Sequence, residues 1–255
     1  MRNKSSFRFV VIFVLIAMLA VFPLSVGADH AWGNYHWART ANPFTLKVGD
    51  NVNSTWDQHL DTTISDWSQS QVLNLTKVTG GTKPRNCRPT SGRVEVCNAT
   101  YGNTGWLGVA QIWITGGVHI TQGIVKNNDT YFNTPTYNTS AWRNLVMCQE
   151  VGHTLGLDHQ DENFNNANLG TCMDYTNNPG TNQHPNQHDY DQLVTIYSHL
   201  DSTTTIGATP AGFANADVHA IENWGEKVSD NGKTALFVRD FGKGFQIFTF
   251  VIWAE

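Results

Sequence analysis

An α+β fold built on one twisted mixed sheet is the class this sequence predicts, and three observations carry it. Strand, amphipathic helix and strand patterns follow one another within residues 43–80, the order of a crossover unit with parallel strands. Two later helix patterns, residues 139–156 and 189–200, stand apart from the strands instead of alternating with them. After a small polar stretch the chain closes on further strand patterns, expected as a small C-terminal β appendage.

The first 28 residues precede the fold. Arg2, Lys4 and Arg8 lead into an unbroken apolar run, "FVVIFVLIAMLAVF" (Phe9–Phe22); Pro23 ends it, and Val26 and Ala28 offer small residues. This is the layout of a secretory signal peptide, with cleavage expected after Ala28. A secreted, extracellular protein follows as an expectation, with no stable membrane association once the segment is removed. The formal net charge is −5, and losing three bases makes it more negative. Such a surface repels nucleic acid and anionic lipid, so neither is expected as a partner. A monomer is expected.

"PFTLKVGDNV" (Pro43–Val52) alternates apolar and polar residues and breaks at Gly49-Asp50, a strand pattern. In Ser54–Ser70, Trp56, Leu60, Ile64 and Trp67 recur at helical spacing, with Ser54 as the expected cap. "VLNLTKVTG" and "GRVEVCNATYG" read as strands. Residues 105–129 read as one or two more, broken at Gly116-Gly117. A long helix over 139–156 starts at Thr139 or Ser140, and another helix runs over 189–200. From Asp201 a linker is expected, then two strands with a turn at Gly242–Gly244. The organisation is therefore 1–28 signal, 29–200 main domain, 201–255 linker and small β region.

All four cysteines follow the signal segment. An even count in an exported chain points to two disulfides with three possible pairings; Cys87–Cys97 and Cys148–Cys172 are favoured. The second would fasten the long helix to the stretch before Met173.

That helix carries the chemistry. "CQEVGHTLGLDH" (Cys148–His159) sets Gln149 and His153 four apart, on one helical face. His153 suits zinc through a ring nitrogen. Glu150 sits one position on from Gln149, placed to take a proton from a bound water without itself ligating. His159 lies about 240° round from His153 if the helix continues, so the chain must turn back first. Gly156 permits that, because it tolerates positive φ.

With "GTCMDY" (Gly170–Tyr175) following, this stretch resembles the metzincins, zinc endopeptidases with an extended H-E-x-x-H-x-x-G-x-x-H helix and a methionine turn. Met173 matches the turn, and Met173-Asp174-Tyr175 is similar to the astacin and serralysin branches. The resemblance implies a zincin-like domain over residues 29–200, zinc as cofactor and a peptide or protein substrate. It also implies a Tyr175 that reaches the metal or the developing oxyanion, and an edge strand near Gly108–Gly117 that aligns substrate by strand addition.

The departure is Gln149, where the family has histidine. Three arrangements stay open. Gln149, His153 and His159 hold zinc together; or an outside group such as Asp161 replaces Gln149; or there is no metal and the fold serves as an extracellular binding protein. Calcium is a further candidate near "KNNDTYFN" (Lys126–Asn133), and His119, His184 and His188 are spare candidate ligands that spacing does not single out. No long inhibitory segment fits ahead of the first strand, so an active form is expected to emerge unguarded or slow.

Overall fold

The computed structural model describes residues 30–207, 216 and 218–254; the expected signal peptide and part of the expected linker lie outside them. Among the described residues no helix is long and apolar enough to cross a membrane.

The strands are β1 (His36–Trp37), β2 (Phe44–Asn51), β3 (Leu73–Thr79), β4 (Val94–Ala99), β5 (Trp106–Thr115), β6 (His119–Asn128), β7 (Glu226–Asp230), β8 (Thr234–Gly242) and β9 (Phe245–Trp253). The helices are α1 (Asp57–Trp67), α2 (Asp129–Phe132), α3 (Ser140–Thr154) and α4 (Gln187–Ile196). This is the α+β class the sequence predicts. β2 and β3 are parallel, as the crossover order requires, and β5–β6 form a hairpin at Gly116-Gly117.

All strands lie in one sheet of order β3-β2-β4-β6-β5-β9-β8-β7, with short β1 alongside β6. Among the described residues the C-terminal strands number three, not two, and they continue the main sheet: β9 pairs antiparallel with β5 along eight register positions. One expectation is thereby corrected. β5, the Gly108–Gly117 strand expected at an edge, is interior, with β6 on one side and β9 on the other. The reason is compositional. β5 is buried along nearly its whole length and "FQIFTFVIW" brings Ile247, Phe248, Phe250 and Val251 to cover it, so an apolar edge is closed by the chain itself.

Helix starts follow local capping chemistry. The Thr139 side chain accepts from the Trp142 amide at 3.2 Å, while Asn186 and Asp189 close a reciprocal capping box at α4. Ser54 does not cap α1; Trp56 occupies that position without a side-chain hydrogen bond. α3 packs under the sheet, and two buried indoles hold it. Trp67 Nε1 donates to the Cys148 carbonyl at 3.1 Å, and Trp37 Nε1 donates to the Thr154 carbonyl at 2.9 Å.

Candidate metal centre

Both favoured disulfides form, with Cα separations of 6.0 Å for Cys87–Cys97 and 5.9 Å for Cys148–Cys172. The second joins α3 to the turn carrying Met173. A Cβ added at Gly152 would lie 2.6 Å from Met173 Sδ, so only glycine lets the helix settle on that thioether.

α3 stops at Thr154, and Gly156 adopts φ +98°. A second constraint acts there: a Cβ at 156 would stand 2.4 Å from the Tyr35 carbonyl oxygen. The Trp32 amide donates to the Gly156 carbonyl at 3.0 Å, so the N-terminal segment seals the point where the chain reverses. The reversal brings His159 back to His153, with ring centroids 4.5 Å apart at 79°. The two imidazoles, far apart in helical phase, therefore face one place.

His153 Nδ1 lies 2.9 Å from the Leu157 carbonyl, which fixes the proton there and leaves Nε2 as the lone-pair nitrogen. Burial, reinforced by neighbouring His159, pushes its pKa down to about 3, so the ring is neutral and ready to ligate. His159 Nδ1 faces the Asp158 carboxylate, while His159 Nε2 and Gln149 Nε2 are buried with no hydrogen-bond partner. Glu150 has no exposure, its carboxyl faces the Ala110 backbone amide of β5, and burial holds it well above the usual carboxylate range. Buried polar groups without partners are costly. Two converging imidazoles, with the Gln149 side chain four residues before His153 to supply an amide oxygen, make a donor set that fits a zinc ion.

Asp161 is occupied elsewhere: its carboxylate accepts from the Asn163 amide at 2.7 Å and from the Asn166 side chain. The carboxylate beside His159 is Asp158, 3.3 Å from Nδ1. The Tyr175 ring lies 4.0 Å from that of His159, but its phenol hydrogen-bonds Thr234 of β8. In the Lys126–Asn133 stretch, the Asp129 carboxylate accepts from Trp56 Nε1 at 2.8 Å and from the Asn98 amide, which accounts for both of its oxygens. His184 pairs with Asp66, and His188 stacks on His30.

Two features had no sequence signal. A cavity of about 280 Å3 opens beside Gln149 and Tyr175, lined also by Leu145, Phe164, Ile252 and Trp253. Phe250 of β9 lies flat on His153, centroids 4.4 Å apart at 8°. That ring, with Trp32 at 4.6 Å edge-on, roofs the imidazole.

No family model and no curated protein matches the chain. Among solved structures it is similar to high choriolytic enzyme 1, a hatching enzyme zinc-protease from Oryzias latipes (Medaka fish). That likeness has 10% identity over 67% of this chain and 98% of the other, with a TM-score of 0.35. It is also similar to the crystal structure of myroilysin, with 11% identity over 70% and 89% of the two chains and a TM-score of 0.34.

Proposed function

We propose that this chain is a secreted zinc-dependent endopeptidase kept closed by its own C-terminal strand. One observation carries the reading: the imidazoles of His153 and His159 converge, His159 Nε2 has no hydrogen-bond partner, and the helix that presents His153 also carries the fully buried Glu150. His153, His159 and the amide oxygen of Gln149 would hold the ion. When bound, zinc would polarise a peptide carbonyl and an attacking water. Glu150, ionised once a cation is bound nearby, would take the proton from that water and deliver it to the leaving amine. Tyr175 donates to the oxyanion once its hydroxyl leaves Thr234. The Gln149 cavity, walled by Leu145, Phe164 and Trp253, accepts an apolar side chain of the peptide.

The guard of the site is the C-terminal strand. β9 occupies the β5 edge where an extended peptide would add, and Phe250 covers His153. The same contacts favour a second reading, a non-catalytic extracellular binding protein in which β9 never leaves.

Cleavage of an unstructured protein by the zinc-loaded chain separates the two. The enzyme reading expects little turnover by the native chain, a rise on Phe250→Ala, and its abolition when Glu150→Ala is added, at constant zinc content. Zinc-bound Phe250→Ala chain without turnover would support the binding protein instead.

A further inference from the structure

A second histidine cluster lies near the base of α3. His36 of β1 and His119 of β6 are register partners on adjacent parallel strands. His199 and Asp201 arrive from the chain after α4. His36, His119 and Asp201 each offer a ligand atom, all within 4.8 Å of one another. Asp201 Oδ1 is the hub: 3.5 Å from His36 Nε2, 3.2 Å from His119 Nε2 and 3.8 Å from His199 Nε2. His199 Nε2 is also 3.2 Å from His36 Nε2. Ligand atoms at the corners of a zinc tetrahedron stand about 3.3–3.4 Å apart, given bonds of about 2.0–2.1 Å. Three of these four separations lie close to that edge.

The outward side of each inner ligand is held. His36 Nδ1 lies 2.5 Å from the Asn34 carbonyl, which takes its proton and leaves Nε2 as a lone pair. That lone pair faces a carboxylate oxygen, so two acceptors confront each other. Asp201 Oδ2 accepts from Arg39 Nη1 at 2.8 Å and from the Arg39 amide at 3.1 Å, leaving Oδ1 for the cluster. Carbonyl-fixed imidazole and cation-oriented carboxylate are how metal ligands are steadied from behind. The His36 side chain is 5% exposed and that of His199 is 52%, so an ion can enter from solvent onto a buried floor.

We propose that His36, His119, His199 and Asp201 form a second zinc site, structural in role, that ties β1, the β5–β6 hairpin and the chain after α4 together. Its N3O donor set of imidazoles and one carboxylate suits zinc over magnesium or calcium. Trp37, next to His36, bonds the last turn of α3, so zinc here steadies the base of the helix that presents His153. The proposal is independent of any metal on His153.

The test starts from the full chain carrying His153→Ala and His159→Ala. After zinc loading and desalting, elemental analysis is expected to find about one equivalent, and zinc at about 100-fold over Kd to raise Tm by roughly 5–10 °C. Adding His119→Ala and His199→Ala is expected to remove both effects. Zinc-free background protein, or zinc unchanged by the second pair, overturns the proposal. Should that background fail to fold, His199→Ala in the otherwise native chain must lose one equivalent relative to native or bind it at least about tenfold more weakly. An unchanged count and affinity overturn it equally. Retention of zinc by the background, whatever happens at His153, keeps the two sites' outcomes separate.

Discussion

Truncating Phe250 to alanine tests the C-terminal strand as the guard of the site. The ring is 2% exposed, stacks on His153 at 4.4 Å and meets Trp32 edge-on at 4.6 Å. Removing a buried phenylalanine costs about 3–5 kcal/mol, from lost transfer energy and the cavity left behind. Phe250 stands opposite Ala110 in the β5–β9 ladder, so losing its packing should loosen β9 on the β5 edge as well as remove the roof over His153. At about 2–4 °C per kcal/mol for a chain of this size, Tm should fall by roughly 6–20 °C. Zinc should also leave faster, because solvent and chelator gain a path to the imidazole. The assays are urea denaturation for stability and stopped-flow chelation by a coloured ligand for release. A loss under about 1 kcal/mol, or a chelation rate equal to that of the native chain, would refute a roof made by Phe250.

Glu150→Gln should change the pH response of the chelated chain. The native carboxyl is raised on folding, so its neutral form is favoured in the folded state. Above about pH 4.5 the unfolded chain releases the proton and the folded one keeps it, so stability falls with rising pH by about 1.4 kcal/mol per unit until the folded group ionises. The glutamine variant lacks that slope; parallel Tm profiles at several pH values would contradict the burial assigned to Glu150. Cys148→Ala with Cys172→Ala opens a loop of sequence separation 24 and should cost about 3–4 kcal/mol, read by denaturant midpoint under oxidising conditions. Gln149→His should tighten zinc at His153 and His159, since imidazole replaces an amide oxygen; competition with a chelator reads it, and an unchanged Kd would remove Gln149 from the ligand set. Gly156→Ala meets both positive φ and the Tyr35 carbonyl, so a loss above about 1 kcal/mol is expected in the same denaturant assay.

The local rules were readable in the chain. Four-residue spacing set Gln149 with His153, and the phase mismatch of His159 demanded a reversal that Gly156 makes at φ +98°. Disulfide positions beside Gln149 and Met173 indicated which pieces meet. The parallel β2–β3 pair followed from the helix between them. What stayed hidden depends on partners far apart in sequence. Whether β5 is an edge is decided by β9, more than a hundred residues later, and an apolar strand reads the same in either place. Phe250 looked like any core aromatic until it lay on His153. His36, His119, His199 and Asp201 come from three separate stretches, and only the His199-x-Asp201 spacing hinted at shared chemistry. Tyr175 matched its motif, yet its hydroxyl is taken by Thr234 of a strand the motif does not include.

The paired imidazoles can be interrogated directly by zinc-edge anomalous diffraction from zinc-equilibrated crystals of the full chain. A peak within about 2.0–2.1 Å of His153 Nε2 and of a His159 ring nitrogen, with the Gln149 amide turned to it, is the predicted result. A map in which that position holds no zinc, while His153 and His159 keep their present orientation, would contradict the account.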